Sequence, residues 1–195
     1  MRICIFGASS DTLAKEYYDA ARELGLLIAA GGHGIVYGGA SDGLMGACAF
    51  GVLDGGGEIV GVAPRFFDEG GILLKDRGRF IFTDTMAERK SAMEELSDGF
   101  IVLPGGIGTL EEMFEVLTLK MLGQHAKPIV LLNTLGCYDP LIQFIDRSIE
   151  QGFVSPMCSE ALLVRSTPQE ALSALLSAER VLRGGIRNYT KQAST

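Results

Sequence analysis

The segment Leu103-Pro104-Gly105-Gly106-Ile107-Gly108-Thr109-Leu110-Glu111-Glu112 runs an apolar strand into a glycine turn and then into a helix. Glycines at 105, 106 and 108 let backbone N–H groups face a ligand closely, and a helix start adds partial positive charge. Such a turn can hold a phosphate without a lysine. It is neither the Walker loop, which needs Gly-Lys-Ser/Thr, nor the GxGxxG dinucleotide fingerprint, so ATP hydrolysis and NAD binding are disfavoured. The same residues also carry a purely architectural reading, because Thr109 and Glu112 have the spacing of a capping box. On these residues alone both readings stand.

A second cluster, Tyr37-Gly38-Gly39-Ala40-Ser41-Asp42-Gly43-Leu44-Met45-Gly46, also follows a strand and opens a helix, and Gly7-Ala8-Ser9-Ser10 follows the first strand. Three small-residue turns at the C-terminal ends of parallel strands face the side of the sheet where open α/β folds bind ligands. The remaining piece is Met86-Ala87-Glu88-Arg89-Lys90-Ser91-Ala92-Met93, with Thr85 and Glu88 spaced as a capping box. Met86, Arg89 and Met93 share one helical face. A solvated Arg-Lys pair is the plain reading, but an arginine among methionines points toward a ligand or a carboxylate. Glu112 is the candidate partner.

These residues must be positioned by the elements around them. Apolar runs at 3–6, 35–37, 59–62, 80–82, 100–103 and 129–132 alternate with helical segments at about 11–30, 42–54, 86–97, 109–122, 138–151 and 168–182. The runs show little alternation, as strands buried on both faces should, which predicts a doubly wound, Rossmann-like α/β fold: a parallel sheet with helices on both faces. Arg79-Phe80-Ile81-Phe82-Thr83 is the exception and reads as an edge. Asp11 suits the cap of the first helix, with Leu13, Tyr17, Ala20, Ala21 and Leu24 as its apolar stripe. Leu110, Met113, Phe114, Leu117 and Met121 form the stripe of the fourth, leaving Glu112 near its first turn. Residues 64–78 read as a loop long enough to be a lid or an interface element. One domain over 1–182 and a polar tail at 183–195 complete the expectation.

Composition narrows the function classes. The 195 residues carry 17 basic and 24 acidic side chains, a net charge of -7, and no basic run, so a nucleic-acid partner is not expected. Cys4, Cys48, Cys137 and Cys158 lie far apart with only His33 and His125 to assist them, so no metal is expected and the thiols fit a reducing compartment. The N-terminus turns after about six residues, shorter than the hydrophobic region of a signal peptide, so a cytoplasmic location is expected. Residues 26–53 carry one formal charge, Asp42, but eight glycines, which argues for strand, turn and small-faced helix rather than a membrane span. With 47% hydrophobic and only 21% charged residues, either the interior is generous or part of the surface is hidden in an oligomer.

Taken together, the motifs resemble the LONELY GUY (LOG) family of cytokinin riboside 5′-monophosphate phosphoribohydrolases, often labelled lysine decarboxylases. The family's PGGxGTxxE signature is matched by Pro104, Gly105, Gly106, Gly108, Thr109 and Glu112; its MxxRK element by Met86, Arg89 and Lys90; its GGxxxGLMG turn by Gly38, Gly39, Gly43, Leu44, Met45 and Gly46. Leu122-Gly123-Gln124-His125-Ala126-Lys127-Pro128, Leu131-Leu132-Asn133 and Tyr138-Asp139 are similar too, and the likeness covers about residues 3–165. It departs at Gly7-Ala8 for Cys-Gly, at Ala87 for histidine, and at Leu119 for tryptophan.

The resemblance implies hydrolysis of the N-glycosidic bond of an adenosine-type 5′-monophosphate, N6-modified or plain, giving free base and ribose 5-phosphate. It implies Arg89 and Glu112 as catalytic groups. Ser9, Gly39, Gly43, Met45, Met86, Lys90, Gly105, Gly106, Gly108 and Thr109 would contact substrate. No cofactor and no membrane partner is implied, and a homodimer with sites near the subunit interface is. A decarboxylase would need a lysine bound to pyridoxal phosphate, a role for which Lys90 gives no independent sign. Two other activities fit the same turns: a nucleotide or cofactor carrier without chemistry, and a broader nucleosidase acting on AMP or other monophosphates.

Overall fold

In the computed structural model, which describes residues 1–178, seven strands pair in parallel in one sheet. They are β1 (Arg2–Phe6), β2 (Gly34–Tyr37), β3 (Ile59–Pro64), β4 (Arg79–Thr83), β5 (Gly99–Val102), β6 (Ile129–Leu132) and β7 (Leu162–Arg165), in the order β4-β3-β2-β1-β5-β6-β7. The helices are α1 (Lys15–Ala30), α2 (Gly43–Asp54), α3 (Met86–Glu95), α4 (Ile107–Met121), α5 (Asp139–Glu150), α6 (Met157–Ala161) and α7 (Pro168–Ser177). The expected end of the last helix at 182 and the 183–195 tail lie outside the described residues.

Period-two alternation along each strand builds two cores. Ile3, Ile5, Ile35, Tyr37, Ile101 and Val130 pack against Leu24 and Ile28 of α1, Leu44 and Val52 of α2, and Leu172 and Leu175 of α7. Cys4, Phe6, Val36, Phe100, Val102 and Ile129 pack against Met93 of α3, Met113 and Leu117 of α4, and Cys158 of α6. Both faces are covered, which is why the central strands read as unbroken apolar runs. The doubly wound expectation holds, and β4 is an edge as its mixed composition suggests.

Glycines at 25 and 51 have packing reasons. A Cβ at Gly25 would lie 2.1 Å from the Cys48 carbonyl oxygen, and one at Gly51 would lie 2.3 Å from that of Arg22, so α1 and α2 cross in backbone contact. Among the described residues no helix is long and apolar enough to cross a membrane.

Several boundaries differ from the sequence reading. α1 begins at Lys15, not near 11, and Asp11 instead accepts the Gly43 N–H at 2.8 Å, supplying the acceptor that Asp42 does not give to the start of α2. α4 begins at Ile107 with Gly106 as its cap, so Thr109 and Glu112 form no capping box there, whereas Thr85 and Glu88 do form theirs at α3. In the α4 stripe Phe114 faces out, 37% exposed, and Val116 takes a buried place. β7 and α6 went unseen because Ala161-Leu162-Leu163-Val164 is short and continuous with helical sequence on both sides, where periodicity cannot separate strand from helix.

Residues 64–78 are not an open loop. They form two 3-10 turns, Arg65–Gly70 and Lys75–Arg77. Between them the chain binds the second glycine turn, through Ser41 N–H to the Ile72 carbonyl (2.8 Å) and Leu74 N–H to the Gly39 carbonyl (2.9 Å).

Candidate active site

Strand order reverses between β1 and β5, and in open α/β folds the C-terminal ends of the strands at such a point are where ligands bind. The turns after these two strands are laced together, Ala8 N–H donating to the Pro104 carbonyl at 3.0 Å and Leu44 N–H to the Ala8 carbonyl at 2.9 Å. All three small-residue turns therefore converge. Gly43 is held at φ 64° with the Ala8 carbonyl 2.3 Å from where a Cβ would stand, so only glycine fits beneath the first turn.

The glycine turn before α4 divides by function of its glycines. A Cβ at Gly105 would lie 2.2 Å from Thr109 Oγ1, so this glycine is demanded by the fold. At Gly106 and Gly108 a Cβ would meet nothing within 4 Å, so no packing requires glycine there. The first intrahelical bond runs from Leu110 N–H to the Gly106 carbonyl, which leaves the preceding N–H groups of α4 pointing outward, and no acidic residue occupies its first turn. Tyr138 braces this turn from behind, its hydroxyl donating to the Leu103 carbonyl at 2.8 Å while its own N–H donates to Asn133 Oδ1 at 2.7 Å. The Asn133 and Tyr138 elements thus serve as support for the turn.

Arg89 and Glu112 meet as the methionine-face argument expects. Arg89 Nη1 donates to Glu112 Oε1 at 2.7 Å, and the residues are 6% and 8% exposed. Arg89 Nε donates to the Val62 carbonyl at 3.2 Å, and its second amino group passes over Gly38, where a Cβ would lie 2.6 Å away. Met45 Sδ sits 3.7 Å from the same point, so Met45 belongs to this neighbourhood. Burial pushes the Glu112 carboxyl above the usual carboxylate range, with Arg89 opposing. A buried carboxylate of raised basicity touching one guanidinium can accept a proton or steady developing positive charge.

The other expected residues are placed less uniformly. Ser9 is exposed on the first turn, Met86 is 40% exposed at the start of α3, and Gly39 (φ 85°) packs against Phe80. Lys90 has its ammonium engaged by Glu111 and, at 2.8 Å, by Glu115, two carboxylates the sequence reading did not single out. The four thiols are free, and burial raises each, Cys137 to about 11, which does not favour thiolate chemistry. Among the described residues no group of three or more His, Cys, Asp or Glu is placed to hold a metal ion.

Fold and site together define a doubly wound α/β protein with an open glycine turn and outward backbone N–H groups at the switch point, and a buried Arg–Glu pair beside it. A family model described as "Possible lysine decarboxylase" matches residues 45–175. The Arabidopsis thaliana cytokinin riboside 5′-monophosphate phosphoribohydrolase LOG3 is 41% identical over 174 residues, covering 89% of this chain and 81% of that protein. The rice enzyme of the same name, LOG from Oryza sativa subsp. japonica, is 40% identical, covering 89% and 72%. Among solved structures, the molybdenum cofactor carrier protein MCP from Chlamydomonas reinhardtii matches with a TM-score of 0.68 at 25% identity, covering 91% of this chain and 98% of that one. The chain belongs to the LOG family.

The decarboxylase description finds no support in the lysines near the site. A Schiff-base lysine needs its amine made available near neutral pH. Lys90 is held above the ordinary lysine range by the hydrogen bonds it donates to Glu111 and Glu115, and Lys120, which burial lowers, donates to the Ala161 carbonyl from the last turn of α4, away from the glycine turn that opens it.

Proposed function

We propose that this protein hydrolyses the N-glycosidic bond of an adenosine-type 5′-monophosphate, N6-modified or plain, releasing base and ribose 5-phosphate. The observation that carries this is the buried 2.7 Å contact of Arg89 with Glu112 beside the open glycine turn. The names of the LOG relatives support the same reading. The 5′-phosphate is held by N–H groups of the turn at Gly105, Gly106, Gly108 and Thr109, with Ser9 opposite. Gly39, Gly43, Met45 and Met86 shape the crevice around the nucleoside.

In this reaction the C1′–N bond breaks with its electron pair going to the base, and water adds to the oxocarbenium-like sugar. Glu112 steadies the cationic sugar and takes the proton of the attacking water; that proton ends on the departing base. Arg89 keeps Glu112 oriented and sets positive charge beside the base as electrons move onto it. The site works as part of a homodimer in a reducing cytoplasm. Exposed Ile107 (88%), Phe114 (37%) and Met86 (40%) around the site favour a second copy nearby, and four free thiols favour the compartment.

A carrier without chemistry is the second reading, favoured by the fold likeness to the cofactor carrier. Chromatography of AMP and N6-isopentenyladenosine monophosphate after incubation with the protein separates the two. Free base from either substrate is expected, and calorimetric binding of both with no base released would replace the hydrolase by the carrier.

A further inference from the structure

Lys90 follows Arg89 on α3, and its ammonium crosses to α4, where Glu111 and Glu115 close on it. Those carboxylates stand at i and i+4 and so lie one turn apart on the same side of α4, flanking Glu112 in sequence. Three charge contacts thus join one turn of α3 to the first turns of α4: Arg89 with Glu112, and Lys90 with Glu111 and Glu115. Lys90 is well covered, its side chain 19% exposed, whereas the cation of Lys15 with Asp19 is 83% exposed and that of Arg65 with Asp84 is 71% exposed. Its pairing is accordingly less screened by solvent than theirs.

α3 and α4 share core packing through Met93, Met113 and Leu117, but stand apart at the level of Lys90. A cavity of about 240 Å³ separates them, lined by Phe6, Lys90, Glu94, Glu112, Glu115 and Leu119. A slide of two residues along a helix is about 3 Å, enough to carry a 2.7 Å hydrogen bond out of range. We propose that Lys90, gripped by Glu111 and Glu115, is a positioning residue that sets the register of α3 on α4 and so holds Arg89 against Glu112. This rests on the phosphoribohydrolase reading for its consequence in catalysis, but it assigns Lys90 to the scaffold of the pair where the family resemblance implies contact with substrate.

The two roles part in the variant Glu111→Gln/Glu115→Gln, which keeps the Lys90 charge and removes its partners. The charged groups facing Glu112 are Arg89, Lys90 and Glu111, with Glu94 and Glu115 across the cavity. Losing the negative charge of Glu111 lowers the Glu112 pKa by Coulomb's law alone, whereas loss of register withdraws Arg89 and raises it. The experiment is a carbon-13 NMR titration of the Glu112 carboxyl in wild type and double variant, with steady-state kinetics beside it. The expected result is an upward pKa shift, kcat lower by about tenfold, and KM within about twofold of wild type. Lys90→Arg, whose planar fork can span both carboxylates, is expected to keep most of kcat. A downward or absent shift in the double variant overturns the proposal, as does a Lys90→Met variant whose KM rises while kcat holds. If wild type shows no turnover, the phosphoribohydrolase reading fails by itself, and the titration still decides the register role.

Discussion

Arg89 and Glu112 carry charge into a space nearly closed to water, which costs free energy that their mutual contact must offset. Removing one partner leaves the other stranded, so Arg89→Ala is expected to lower stability by about 3 kcal/mol in denaturant titration as well as to remove turnover. The burial of both residues is why the loss reaches the fold as well as the chemistry. Glu112 also sets a pH dependence. Its carboxyl is raised by burial, so activity that needs the carboxylate falls as pH drops through a value above that of an ordinary glutamate, and the acid limb of the kcat profile belongs there. Stability runs the other way. A carboxyl with a raised folded-state pKa contributes fully below its unfolded value and loses that contribution as pH rises through the folded one. The stability of wild type relative to Glu112→Gln should therefore decline from acid to neutral pH in thermal melts. At this scale Arg89 was legible because a charged residue broke an apolar helical face. Glu111 and Glu115 were not, because exposed glutamates on a helix look alike until a partner on another element is seen.

Glycine turns and helix starts carry the phosphate role. Gly105 is fixed by the Thr109 side chain, but Gly108 sits in the first turn of α4 with open space where a Cβ would be. Alanine is the better helix former there by up to about 1 kcal/mol. Gly108→Ala is thus expected to raise the melting temperature slightly while raising KM for the nucleotide about tenfold, a loss of ~1.4 kcal/mol in binding. Unchanged KM would remove Gly108 from the phosphate site. The strands and helices up to β6 were readable because buried parallel strands are unbroken apolar runs between helical periods. Helix starts were less so: Asp11 looks like a local cap, but its partner is the N–H of Gly43, thirty-two residues on. Such an exchange of caps between helices leaves no trace in local spacing.

Across the whole molecule, the strand order puts three turns and one ion pair at a single crevice, although their residues span positions 7 to 112. That convergence follows from the topology. What the topology leaves open is the apolar rim, where Ile107 and Phe114 of α4 face outward. If a second copy covers them, Phe114→Glu is expected to shift the protein from dimer to monomer in light scattering and to lower activity with it. A fully active monomeric variant would detach the site from the interface.

The measurement that goes most directly to the central claim is the stoichiometry of products from N6-isopentenyladenosine monophosphate. Purified wild type should release base and ribose 5-phosphate in equal amounts, and Glu112→Gln should bind the nucleotide in calorimetry while releasing neither, with a rate lower by roughly a hundredfold or more. Equal rates for wild type and Glu112→Gln would contradict the account.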